Sequence, residues 1–269
     1  MKLTQQLHRV NLPKLCIGLL LVTGVFFSCQ KELHFDKVPE KDHNLILKFL
    51  PVVSFDSVPL VFGQTYTNAF KEKYTPTGFK FYVHNFELIN TDSGKTFKPA
   101  NDKYYLVDFS DSTTTEIKLP VLPYVYNFLS FTIGVDSAQN VSGAQTDALD
   151  PAKGMFWTWN TGYIMAKLEG TSAKSPQAGK FEYHIGGFSG ADNVIKKVKL
   201  LFPYVNNLEL KPGKESKMYI TCDANDWFSS PWDIKIADNP VITTPGLLAT
   251  QVAENYSKMF TIDSVYNEQ

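Results

Sequence analysis

The sequence predicts an all-β fold, an antiparallel β-sandwich closed by a short C-terminal helix, on three observations. From Leu45 onward, short aromatic and β-branched runs are broken by Gly, Pro, Asn and Asp, the rhythm of strands joined by tight turns. Several of these runs alternate apolar and polar residues with period two, as strands do. One segment near the end changes to helical spacing. Aromatic residues at 14% and hydrophobic residues at 43% suffice for a sizeable core, in one sandwich of Ig or jelly-roll type.

In chain order, residues 1–28 read as a signal peptide. Lys2, Arg9 and Lys14 form a positive start, and Leu15–Phe27 is an apolar run too short to span a bilayer comfortably. The run ends "FFSC", with small Ser28 directly before Cys29. That ending resembles a bacterial lipobox of the Bacteroidetes type, in which the cysteine is acylated and becomes the first mature residue. Phe26 stands where the usual pattern has Leu. Cys29 is therefore the expected lipidation site, and its acyl chains anchor the protein to a membrane without spanning it. The expected location is the envelope of a Gram-negative bacterium, at the outer membrane, on its periplasmic or outer side. "QKEL" after Cys29 is similar to part of a surface-export signal. Residues 29–43, polar and charged, read as a flexible tether. The sandwich then occupies residues 44–269.

The domain opens with "LILKFLPVVSF". In "GFKFYVHNFELIN" Phe79, Phe81 and Val83 share one face, and Tyr82, His84, Phe86 and Leu88 share the other. Both faces are apolar, as in a strand covered on both sides. "KYYLVDFS", "YNFLSFTIGVD" and "YIMAKLEG" come next, the last with Ile164, Ala166 and Leu168 inward. "KFEYHIGGF", "IKKVKLLFPY", "KMYITCD" and "WDIKIAD" complete the strands. From Pro245, Leu248, Val252, Met259 and Phe260 lie on one helical stripe, with Gln251, Glu254 and Lys258 opposite.

Without residues 1–28 the chain keeps 23 basic against 27 acidic residues, a formal charge of −4. That balance argues against nucleic acid as a partner. With Cys29 acylated, Cys222 is the lone mature thiol, which rules out an intrachain disulfide and a Cys-based zinc site. No nucleophile elbow, H-E-x-x-H, P-loop or dinucleotide glycine pattern occurs, so no catalytic residues and no enzymatic activity are expected.

Three sets of residues carry candidate chemistry. Trp157 and Trp159, beside Tyr163, share a side if the segment is extended. They plug one end of the core with their N–H groups on loop carbonyls, or, if exposed, form a platform on which a carbohydrate stacks. Asp136, Asn140, Asp147 and Asp150 are oxygen donors in a Gly-containing loop, the chemistry of a calcium site, and equally of turn formation. Imidazoles suit copper, and of the mature histidines His34 and His43 lie in or near the tether, leaving His84 and His184 in the sandwich. Each also serves as a hydrogen-bonded core histidine.

"FTIGVDSAQN", "ALDPAKGMFWTWNTGYIMAKLEG", "FEYHIGG" and "AENYSKMF", in that order, resemble the MbnP-like family of secreted β-sandwich proteins associated with methanobactin and copper. The resemblance runs from about Leu45 to the C-terminus. It implies copper held by histidines and by a tryptophan oxidised to kynurenine, with a dihaem cytochrome c peroxidase-like partner as oxidant. The family places a His two residues before that Trp. Here His84 is followed by Phe86 at the Trp position, and phenylalanine cannot become kynurenine. The expectation is thus a lipid-anchored binding or accessory protein of the envelope that binds copper through His84 and His184. Its alternative is a surface interaction or structural module without metal, more remotely a carbohydrate-binding accessory lipoprotein.

Overall fold

The computed structural model describes residues 44–53, 58–99, 103–159, 162–203, 208–209 and 214–267. The signal segment, Cys29, the tether, His34 and His43 lie outside the described residues. In chain order the strands are β1 (Asn44–Val53), β2 (Val58–Pro59), β3 (Tyr66–Thr67), β4 (Lys73–Asn90), β5 (Lys95–Phe97), β6 (Tyr105–Asp108), β7 (Glu116–Pro120) and β8 (Val125–Tyr126). Then come β9 (Phe128–Ile133), helix α1 (Ser137–Asn140), β10 (Ile164–Thr171), β11 (Lys180–Gly186), β12 (Lys196–Leu201), β13 (Leu208–Glu209) and β14 (Glu215–Asp223). β15 (Val241–Ile242), helix α2 (Leu247–Tyr256) and β16 (Phe260–Asn267) finish the chain.

Two sheets face each other. The smaller runs β16-β14-β1-β2, with β7 also on β1. The larger runs β12-β9-β4-β10-β11-β15, with β3, β5 and β6 also on β4. Most pairings are antiparallel, as expected, but β1–β14 and β11–β15 are parallel. Phe49 of β1, Phe81 of β4, Phe131 of β9 and Phe260 of β16 meet edge to face between the sheets, with ring centroids 5.1–6.3 Å apart. Each such pair contributes about 0.5–1.5 kcal/mol beyond its buried area.

The long strand β4 is the spine, and its register breaks twice, against β10 between Pro76 and Gly78 and against β9 between His84 and Glu87. Asn85 has φ 52°, a left-handed conformation that Asn tolerates better than most residues, and the register with β9 shifts between His84 and Glu87. The bulge reverses the sidedness of the residues after it. Val83 is paired with Ile133 and Leu88 with Leu129, so Leu88 joins the inner face. Phe86 also turns inward, its ring 5.8 Å from Phe131. Phe86 and Leu88 therefore do not share the face of Tyr82 and His84, as unbroken alternation predicts.

The C-terminal stripe is not one helix. α2 ends at Tyr256, and Phe260 opens the antiparallel partner of β14. "WDIKIAD" is not a strand either. Ile234 and Ile236 are buried, but the N–H of Ile234 donates to the Phe228 carbonyl (2.8 Å). The Glu72 carboxylate accepts from the N–H groups of Ile236 and Ala237, each at 2.9 Å. These donors are committed to a loop clamp, so no ladder forms. Among the described residues no helix is long and apolar enough to cross a membrane.

Candidate functional site

Between β9 and β10 the chain makes a long excursion, residues 134–163, which carries the candidate calcium residues and the tryptophans. Asp136 caps α1, accepting from the Gln139 N–H at 3.1 Å, and also accepts from the Tyr104 hydroxyl. Burial pushes the Asp136 carboxyl up, but that hydroxyl and the backbone N–H groups of Gln139 and Ala138 outweigh it and hold it below its ordinary value. Asp150 caps the turn Pro151–Lys153 by accepting from the Ala152 N–H at 2.8 Å. Asp147, exposed, opens the turn before it with a left-handed φ of 57°.

Asn140 is the tie that holds the excursion to the sheet. Its side-chain amide donates to the carbonyls of Val135 (2.5 Å) and Asp136 (3.0 Å), and its oxygen accepts from the Tyr163 N–H (2.8 Å). Tyr163, fully buried, donates its hydroxyl to the Leu149 carbonyl (2.8 Å) and packs edge-on against Tyr82 of β4 at 5.9 Å. Both carboxylate oxygens of Asp136, the amide oxygen of Asn140 and one carboxylate oxygen of Asp150 thus accept from N–H or O–H donors. Among the described residues no three His, Cys, Asp or Glu gather as a metal-binding group.

The end of the excursion pairs back on itself through an isolated antiparallel bridge. Phe156 bridges Tyr163, and the Trp157 N–H donates to the Gly162 carbonyl at 3.3 Å. Gly162 has φ +119°, closed to most side chains, and a Cβ there would lie 3.3 Å from the Phe188 ring. The two tryptophans share a side, with ring centroids 5.6 Å apart, but differ in burial. Trp157 is 5% exposed and rests on bare backbone: a Cβ on Gly186 would sit 2.3 Å from its Cη2. Trp159 is 61% exposed. The plug is therefore Trp157 alone. Its indole N–H is enclosed without a hydrogen-bond partner among the described residues, rather than on the loop carbonyl expected from sequence.

Beside Trp157 opens a cleft of ≈ 210 Å³, lined also by Tyr163, Phe188, Ser189, Asp192 and Pro245 with Gly162 and Gly187. Its far wall is the turn after β11, tied to the excursion by the Ser137 hydroxyl donating to the Phe188 carbonyl at 2.8 Å. Ser189 and Asp192 are exposed at this wall. Sequence reasoning missed Phe188, Ser189, Asp192 and Pro245. The "GGFSG" run after β11 was the available signal, a glycine turn presenting an aromatic residue.

The histidines are not brought together. His84 lies on β4, 6% exposed, its ring centroid 4.5 Å from that of Tyr104. His184 lies on β11, its Nε2 2.6 Å from Glu169 Oε1. This hydrogen bond, aided by Lys167 against the cost of burial, holds the Glu169 carboxyl below its ordinary value. The register pairs His184 with Lys167 and Lys167 with Lys80, four residues before His84. At about 3.3 Å per residue and about 4.8 Å per strand, the two backbones are on the order of 16 Å apart. Ligands to one ion, each bonded at about 2 Å, cannot span that distance.

Comparison with known proteins places this architecture. A search of curated proteins returned no match. Among solved structures the chain is similar to MbnP from Methylosinus trichosporium, with a TM-score of 0.52 and 16% identity over 85% of this chain and 100% of that one. At that identity the likeness establishes the fold. The MbnP family model matches residues 42–245, well over half of the sequence, and the chain belongs to the MbnP family.

Proposed function

We propose that this chain is a non-catalytic binding protein of the cell envelope, lipid-anchored through Cys29, which takes a small ligand at the Trp157–Phe188 cleft. The observation that carries the reading is a cleft walled by Trp157, Tyr163 and Phe188, with the 61% exposed Trp159 ring 5.6 Å from that of Trp157. An isolated exposed apolar residue is ordinary, but an indole next to a concave aromatic wall has the character of a ligand surface. The test is a titration of the ¹⁵N-labelled mature domain with a library of small neutral, cationic and anionic fragments. The reading expects hits that shift the Trp157 and Trp159 indole N–H signals. A library that moves neither signal defeats it. The anchor is tested by mass spectrometry of the mature N-terminus, where an unmodified Cys29 removes that part of the proposal.

The geometry favours this reading over copper held between His84 and His184, because the two imidazoles stand apart. Phe86 points into the core, so a kynurenine-forming partner has no indole to oxidise at that position. Copper content of the purified protein decides the choice. Stoichiometric copper that falls on both His84→Ala and His184→Ala would restore the metal reading.

A further inference from the structure

Resting on that reading of the cleft, we infer that its ligand is an organic cation, a methylated ammonium group. Among the described residues lining the cleft, Asp192 is the one that carries charge, and the lining contains no Lys, Arg, His, Asn or Gln. An anion finds no counter-charge here. A neutral sugar needs several planar polar side chains to meet its hydroxyls, and the cleft offers the Ser189 hydroxyl, the Asp192 carboxylate and the enclosed Trp157 N–H.

What the cleft does offer is aromatic surface from Trp157 and Phe188, with the exposed Trp159 ring 5.6 Å from Trp157. Indole faces attract a positive charge through the ring quadrupole, and they do so best when the cation sheds water easily, as an alkylated ammonium does. A carboxylate at the wall adds direct attraction. The volume, ≈ 210 Å³, falls below the roughly 300–1,000 Å³ of drug-sized ligand sites, which suits one headgroup rather than a chain of rings. Pro245, which precedes α2, closes one side, and the backbone at Gly187 another.

The experiment is a tryptophan-fluorescence and calorimetric titration of the mature domain with four probes. They are choline, its neutral isostere 3,3-dimethyl-1-butanol, a peptide carrying trimethyl-lysine, and methyl β-glucoside. Saturable binding of choline or of the peptide is expected, with the tighter of the two identifying a free solute or a protein side chain as the source. The isostere is expected to bind at least about fivefold more weakly than choline, and Trp159→Ala and Asp192→Asn each to weaken choline about fivefold or more. Asp192→Asn should also flatten the salt dependence. Both substitutions lie on the surface, so unchanged melting temperatures separate loss of binding from loss of fold. Equal binding of choline and its isostere overturns the inference, as does choline binding indifferent to Trp159→Ala. Glucoside binding that needs Trp159, without choline binding, rejects the cation and leaves the cleft as the site. Absence of binding by all four probes at millimolar concentration overturns the inference, and the fragment titration then decides the cleft separately.

Discussion

Replacing Asn140 by Ala should detach the excursion that builds the cleft. The side chain is 3% exposed and closes three hydrogen bonds, to the carbonyls of Val135 and Asp136 and from the N–H of Tyr163. A buried polar group left without its partner costs about 1–3 kcal/mol. The Asp136 carbonyl keeps a second donor, the backbone N–H of Asn140 at 3.0 Å, so it loses least. The Val135 carbonyl and the Tyr163 N–H depend on the Asn140 side chain, and the expected loss is about 3 kcal/mol in all. For a domain of this size that corresponds to a fall of roughly 6–12 °C in Tm. Urea unfolding followed by circular dichroism measures the free energy, with Thr146→Ala, an exposed site on the same loop that makes no side-chain cap hydrogen bond, as control. Asn140→Asp separates the roles, since it keeps the acceptor for Tyr163 and removes the donors to the two carbonyls. A loss below about 1 kcal/mol for Asn140→Ala would refute the tie, because a buried three-bond anchor is not so weak.

Three further outcomes concern other parts of the fold. Burial, with Asp223 nearby and Lys258 opposing, raises the Asp226 carboxyl to about 7, so the folded state holds an extra proton between about pH 4 and 7 and loses stability as pH rises through that window. Asp226→Asn should flatten the pH dependence and stabilise the protein above pH 7 by about 1–2 kcal/mol, allowing for partial hydration; parallel urea midpoints for both proteins across that range count against it. Gly186→Ala places a methyl 2.3 Å from Trp157 Cη2 and 2.9 Å from the Tyr163 carbonyl oxygen, and overpacking of this kind costs about 1–3 kcal/mol. It should also shift tryptophan emission to the red as Trp157 is levered out, and unchanged emission with unchanged stability would contradict the contact. Burial raises the Cys222 thiol well above its ordinary value, so in a chain beginning after Cys29 it should ignore a disulfide reagent until urea unfolds the domain; prompt reaction of the native protein contradicts that burial.

The strands of this domain were legible where one face meets a core and nothing interrupts the period. Phe79, Phe81 and Leu168 point where alternation puts them, because period two is a geometric property of extended backbone. Asn85 was not legible. A single left-handed residue leaves no trace in composition, yet it turns Phe86 and Leu88 to the other sheet. The C-terminal stripe misled because Val252, Met259 and Phe260 are seven and one apart, spacings that a helix and a helix-turn-strand both satisfy. The alternation of buried Phe260 and Ile262 with exposed Thr261 and Asp263 was the better witness. For the site, the Trp-x-Trp run located the right segment and the right shared side. It did not disclose that Trp157 is buried while Trp159 is exposed, since Trp157 is covered through its packing on Gly186 of β11, a contact distant in sequence. Asp136, Asn140 and Asp150 are the residue types that bind cations and the residue types that cap turns. Only coordinates show which donors they meet.

Those donors also separate the proposed binding from folding. Inside the excursion, Asp136 serves a helix cap and a tyrosine, Asn140 three backbone groups, and Asp150 a turn. Polar groups so engaged have little left for a ligand, and each change to them lowers stability. The exposed groups lie elsewhere, in the Ser189 hydroxyl and Asp192 carboxylate of the turn after β11 and in the Trp159 ring. Trp159 and Asp192 sit on the surface, where substitution moves stability by about 0.5 kcal/mol or less. A scaffold that satisfies the buried groups of its excursion and keeps exposed groups near one cleft lets the proposed ligand site vary without changing the fold. On this ground Trp159→Ala and Asn140→Ala should act in opposite registers, the first on binding with stability kept, the second on stability and on binding only through the displaced excursion.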